Sequence, residues 1–258
     1  MGAFARTLVL GAAFLACACL PTTTDAAETV TLHTSFSPDR LGASTTIGFG
    51  FDISSSGGGL PAPLESVSLS LPVGINYLST TLGLAICQPA ALLEHGLPGC
   101  PPDSRLGSGS AYVEVPFGAS SGHEIPHIEA FMGPPHGANV VVLFYAEGEE
   151  PVYAQIVFEG ELVAGSQTLG GSLDAAVPLI PSVAGGPPVS IVRVSSTIGP
   201  AGLTYYERVH GHTVSFHPRG VSVPLHCPHG GFAFAARFTF QDGTSALAKS
   251  TVPCPRRR

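Results

Sequence analysis

Positive charge is scarce in this sequence of 258 residues. Only 11 residues are Lys or Arg, and Lys249 is the sole lysine. Because a nucleic-acid binder needs a basic face and these cations are scattered, we expect no nucleic-acid partner. Charged residues make up 11% of the chain against 44% hydrophobic ones, which excludes a disordered polyelectrolyte. Tryptophan is absent, which disfavours a typical sugar-binding platform.

Glycine and proline are abundant instead, with 32 and 24 residues. Their usual combined share is only about 12%. Long helices and coiled coils tolerate few such breakers, so this composition favours short strands joined by turns.

The N-terminus has the pattern of a secretory signal peptide, predicted over residues 1–27. Arg6 precedes an apolar stretch from Leu8 to Leu20, which is too short for a bilayer span. A lipoprotein anchor at Cys17 or Cys19 is the alternative. No later segment is apolar enough to form a transmembrane helix, so we expect a secreted or cell-envelope-associated protein.

Four cysteines follow the predicted signal peptide, and they allow three pairings. An even number in an exported chain implies disulfides. Because each pair brackets one local segment, we predict bonds Cys87–Cys100 and Cys227–Cys254. Zinc–thiolate binding is the weaker alternative, since no Cys-x-x-Cys occurs.

Alternation of apolar and polar residues with period two predicts antiparallel strands. It is clearest over 47–53, 67–71 and 232–240, where Phe232, Phe234, Phe238 and Phe240 share one face. Further strands are expected around 29–34, 108–115, 138–146, 152–162, 189–197, 212–217 and 246–252. The predicted fold is all-β: an antiparallel two-sheet sandwich of about ten strands, stapled by disulfides.

One short helix is expected over residues 89–95, because Pro89 opens it and Gly96 follows its end. Gly- and Pro-rich connections are expected at 54–63 and 165–188. Residues 28–255 are predicted to form a single β-sandwich domain, with a two-lobed arrangement as the alternative, and residues 256–258 a basic tail.

The unit that combines a strand, Cys87, the short helix and a Cys-Pro-led strand resembles one in uncharacterised secreted β-rich proteins of high-GC actinobacteria. The closing stretch is similar to the ends of such chains. The resemblance implies export and a β fold and brings no catalytic residues. It is carried by Leu71–Ile75, Cys100–Gly109, Cys227–Phe232, Asp242–Thr244 and Cys254–Pro255.

Ten histidines form the strongest chemical signal. On a strand, His210 and His212 would point to one face, and with His217 or the Glu207 carboxylate they form a candidate site for Zn²⁺ or Cu²⁺. The alternative is a solvated hairpin, because Gly211 lies between the first two histidines.

Other chemistry is poorly supported. Glu147, Glu149 and Glu150 are typical of an acidic turn. The leading hypothesis is an exported, non-enzymatic interaction or structural module of the envelope or extracellular space, with a cell-envelope polymer or protein as partner and no cofactor. A His-rich metal-binding protein or metal-dependent enzyme is the first alternative, and a glycan-binding module is the second.

Overall fold

The computed structural model describes residues 27–77, 85–151, 153–165, 170–199 and 203–255. Residues 1–26 of the predicted signal peptide and the basic tail at 256–258 lie outside these ranges. The strands are β1 (Glu28–Ser37), β2 (Thr46–Ser55), β3 (Leu64–Ser70), β4 (Asn76–Tyr77), β5 (Arg105–Phe117), β6 (Ser120–Glu124), β7 (His127–Met132), β8 (Val140–Gly148), β9 (Ala154–Val163), β10 (Ser172–Ala176), β11 (Ser190–Ile198), β12 (Tyr205–Val209), β13 (His212–Phe216), β14 (Val221–Ser222), β15 (Phe232–Phe240) and β16 (Ser245–Val252). One α-helix, α1 (Pro89–His95), and two 3-10 turns (Leu97–Gly99 and Pro102–Ser104) complete the described elements.

Eleven strands form one nearly closed barrel, so the predicted two-sheet sandwich is wrong while the all-β class is confirmed. Their order is β1-β2-β11-β5-β7-β8-β9-β10-β3-β15-β16, with β6 paired to the far half of β5. Alternation in a sequence shows which side of a strand is buried, but a second sheet and the opposite wall of a barrel bury that side equally well.

The barrel closes where β1 meets β16. All ten pairings along the path are antiparallel and eleven is an odd number, so these two strands run in the same direction. Thr34 Oγ1 donates to Ser250 Oγ across the seam at 2.9 Å. No backbone ladder joins β1 and β16 in the described residues, which explains why the closure is incomplete.

The interior around β1, β2, β15 and β16, which we call the filled side, is packed with aromatic rings. Phe232, Phe234, Phe238 and Phe240 occupy inward positions of β15 and are at most 1% exposed. Phe238 packs edge-to-face on Phe51, with 5.0 Å between ring centroids. Aromatic contacts of this geometry add to the free energy gained from burying the rings.

A second apolar cluster lies on the outer surface of β7 and β8, under α1. Leu92 of α1 and Leu143 of β8 are fully buried there. The predicted helix is confirmed: Pro89 begins it, and Gly96, at φ 62°, follows its end. The predicted disulfides are also confirmed, and Cys87–Cys100 fastens the two ends of this helical segment.

The ten predicted strands are all present, but the structure adds others. The strand β10 lies inside the segment 165–188, which was predicted as a connection, and β7 lies between Pro126 and Gly133, where no strand was expected. The strand β7 escaped prediction because Phe131, at an outward position beside Leu143, is apolar and packs in the cluster under α1, which interrupts the polar side of the alternation. No helix among the described residues is long and apolar enough to cross a membrane.

Candidate functional site

The predicted metal ligands lie on the β12–β13 hairpin and just beyond it. His210 is in the turn, at φ 50°, and His212 begins β13, so the two do not both occupy strand positions. All three imidazoles are exposed, and Nδ1 of His217 lies 3.4 Å from Thr204 Oγ1. Among the described residues no three His, Cys, Asp or Glu side chains lie close enough to hold a metal ion. Metal binding here stays a prediction that the geometry does not strengthen.

A glycan-binding surface needs exposed aromatic rings on one face, and the tyrosines do not gather on one surface in the described part of the chain. Tyr145 and Tyr205 are buried, while Tyr112 stacks on His123 with 5.5 Å between ring centroids. Tyr153 and Tyr206 are exposed but lie near opposite ends of the barrel.

Carboxylates on the outer surface already have partners. Glu147 accepts a hydrogen bond from Tyr153, and Glu161 accepts one from Asn139. The buried Glu129 accepts two hydrogen bonds from Arg105, both at 2.6 Å, and lies 2.7 Å from His127. A buried carboxylate satisfied in this way is typical of a structural ion pair, and we assign it no chemistry.

The strongest candidate site is the interior of the barrel on the side opposite the phenylalanines. Strands β5, β7, β8, β9, β10 and β11, which we call the hollow side, form most of the wall of a cavity of about 170 Å³, and Phe49 and Phe51 of β2, Leu64, Val67 and Leu69 of β3 and Glu124 of β6 complete it. Apart from Glu124, Ser182 and Ser196, the residues that line it are apolar or glycine. A smaller space of about 50 Å³ adjoins it and shares Phe49, Leu69, Leu173 and Ile198 with it.

The cavity exists because inward positions on the hollow side carry short side chains. On β5 these are Ala111, Val113 and Val115, and small residues continue the pattern at Ala146 of β8 and Ala175 of β10. Since alternate residues of a strand face the barrel interior, five short side chains at such positions leave space that the four phenylalanines of β15 fill on the other side.

A proline-rich segment, residues 177–189, covers one end of this cavity, and we call it the strap. It leaves β10 and reaches β11 on the opposite wall, so it crosses the mouth of the barrel. The backbone N–H of Val177 donates to Glu65 O at 2.7 Å, and Ser190 Oγ donates to Pro61 O at 2.6 Å. The first bond holds the beginning of the strap to β3. The second holds Ser190, which directly follows the strap, to the loop that precedes β3.

Inside the strap a narrow hairpin is formed. The N–H of Ser182 donates to Pro187 O, and that of Val189 donates to Ile180 O, both at 2.9 Å. This pairing directs Ser182, which is 1% exposed, toward the cavity, while Val183 at the tip is 51% exposed.

Two polar atoms at the strap end of the cavity are buried without a hydrogen-bond partner: Glu124 Oε1 and Ser182 Oγ. Burial raises the pKa of the Glu124 carboxyl above its usual range, and a hydrogen bond from the backbone N–H of Glu150 opposes part of that rise. Gly148 leaves room for this carboxylate, because a β-carbon at position 148 would collide with Oε1. Buried polar atoms normally have partners, so these two oxygens are the hydrogen-bonding positions that this end of the lining offers.

Sequence reasoning missed the cavity and Glu124. The available signal was the run of short residues at alternate positions 111, 113 and 115, but such residues are equally common in a filled core. No family model, curated protein or solved structure matches the chain, so the site is interpreted from its geometry.

Proposed function

We propose that this protein is an exported, non-enzymatic binding protein that holds a small apolar molecule inside its barrel. The observation that carries the proposal is the apolar cavity of about 170 Å³ on the hollow side. The predicted signal peptide and the two disulfides support export, because disulfides persist in oxidising compartments. The proposal gives the predicted extracellular interaction module a definite kind of ligand.

The size of the cavity indicates the size of the ligand. An engineered cavity of about 150 Å³ with similar apolar walls binds benzene. The cavity here is slightly larger, at about 170 Å³, so a single aromatic ring or a short branched hydrocarbon fits it. Small barrels are a common scaffold for one small ligand of this kind.

An energetic argument supports a bound molecule. A closed core void costs about 24 cal/mol per Å³, which sets an upper bound of about 4 kcal/mol on the penalty for an unfilled space of this size. Since whole domains are stable by only about 5–15 kcal/mol, that penalty is large. Ligand contacts would recover much of it, whereas a purely structural module would gain more from larger side chains.

The test is calorimetric titration of the purified protein with benzene, together with two alanine variants on β10. Ala175 lines the cavity, while its neighbour Ala176 points outward and is exposed. We expect saturable binding of one benzene to the wild type and to Ala176→Leu, and at least about tenfold weaker binding to Ala175→Leu.

The fold of both variants is checked by thermal unfolding, since a leucine at either position has room. Absence of benzene binding to a folded wild type, or equal binding by Ala175→Leu, would contradict the proposal.

A further inference from the structure

We infer that the natural ligand carries a hydroxyl group, which Glu124 and Ser182 bind at the strap end of the cavity. The inference rests on the proposed function and goes further, because it names the polar part of the ligand. It follows from the two unpartnered oxygens, which lie in the wall of a cavity that is otherwise almost entirely apolar.

The position of Glu124 aims its carboxylate into the barrel. Strands β6 and β7 pair with successive parts of β5, and Pro126 separates them. Glu124, Pro126 and Ile128 occupy alternate positions along this interrupted strand, and all three line the cavity. The carboxylate therefore belongs to the inner surface and not to the solvated outer one.

The chemistry of the two oxygens selects the ligand group. A carboxylate oxygen accepts hydrogen bonds, and a serine hydroxyl both donates and accepts. A ligand hydroxyl can donate to Glu124 and accept from Ser182, and it remains neutral. A ligand carboxylate would be repelled by Glu124, because two like charges would meet at a site of low dielectric.

An ammonium group is disfavoured for a different reason. Its transfer from water into an apolar cavity carries a large desolvation cost, which pairing with one carboxylate repays only with excellent geometry and further hydrogen bonds. The other polar groups in the lining, Ser182 and Ser196, are neutral and offer no second anion. The lining therefore fits an apolar alcohol or phenol best.

The experiment compares four probes that share one ring: toluene, benzyl alcohol, benzylamine and benzoate. In calorimetric titrations of the wild type we expect benzyl alcohol to bind about tenfold more tightly than toluene, because it satisfies a charged acceptor. Benzylamine is expected to bind more weakly than the alcohol, and benzoate more weakly than toluene.

Three variants test which side chains cause the preference for benzyl alcohol over toluene. Glu124→Leu removes the acceptor and should abolish the preference for the alcohol while toluene affinity is kept. Ser182→Ala should reduce the preference by a smaller factor. The control is Glu94→Leu on α1, whose side chain is 75% exposed, and it should behave as the wild type.

The outcomes separate this inference from the proposed function. If toluene binds but the alcohol has no advantage in the wild type, the inference is wrong and the apolar site remains. If benzylamine binds most tightly, or if Glu124→Leu keeps the alcohol preference, the inference is also wrong. If none of the four probes binds, the proposed function fails. Should Glu124→Leu not fold, the wild-type series and Ser182→Ala still decide.

Discussion

The filled side and the hollow side of the barrel have the same strand architecture but differ in the size of their inward side chains. On β15 four phenylalanines occupy inward positions and are at most 1% exposed, whereas on β5 alanine and valine occupy inward positions that border the cavity. The hollow side is supported from outside instead, since α1 and the Cys87–Cys100 disulfide cover the outer surface of β8. Under the proposed function, one wall maintains the fold while the other provides the space for the ligand.

The largest expected effect comes from removing a ring on each side. Phe238→Ala on the filled side should lower the free energy of unfolding by about 3–5 kcal/mol, because Phe238 is fully buried against Phe51. Phe158→Ala on the hollow side should cost clearly less, because Phe158 is only partly buried and borders existing space. Urea denaturation measures both, and equal losses would contradict the distinction.

Removal of the disulfide that supports the hollow side should come next. Changing Cys87 and Cys100 together to serine should cost about 3 kcal/mol, the usual value for a loop of about 15 residues. Relative to the wild type, amide hydrogen exchange in this variant should become faster at α1 and stay unchanged at β15, because only the outer cover of β8 depends on this bond. Uniformly faster exchange over the whole barrel would show that the two sides are not separately supported.

A pair of matched enlargements tests the available space directly. Ala236→Leu adds a branched side chain among the phenylalanines of β15 and should destabilise the protein by about 1–3 kcal/mol. Ala111→Leu places the same group in the cavity, so it should be neutral or stabilising. Thermal unfolding shows whether each substitution stabilises or destabilises the protein. A stability loss at position 111 that matches the loss at position 236 would mean that the hollow side has no usable space.

The smallest expected effect is a pH dependence at Glu124. Because burial raises the pKa of this carboxyl in the folded protein, its neutral form stabilises the fold at acid pH, and that contribution is lost as the pH rises through the raised pKa. Glu124→Gln stays neutral, so its melting temperature relative to wild type should increase from pH 4 to pH 8. A difference that does not change over this range would show that Glu124 titrates normally.

The sequence predicted the parts of the fold that depend on neighbouring residues. The inward face of β15 follows from alternation, α1 from Pro89 and Gly96, and the disulfides from the closeness of each cysteine pair along the chain. These features are local, and local patterns carry enough physical information to specify them.

Barrel closure and the cavity depend on distant pairings. The register of β3 with β10 brings Leu69 beside Leu173, about a hundred residues later in the chain, and no local pattern contains that information. Glu124 was equally hidden, because its hairpin position is typical of an exposed carboxylate, and only the pairing of β6 with β5 and the closure of the barrel place it in the lining of the cavity.

The most direct measurement of the central claim is a crystal structure of the protein determined under xenon pressure. Xenon enters dry apolar cavities of this size. The account predicts an ordered xenon atom on the hollow side near Ala111 and Ala175, and none among the phenylalanines of the filled side. A hollow side filled by ordered water or by collapsed side chains, with no xenon bound, would contradict it.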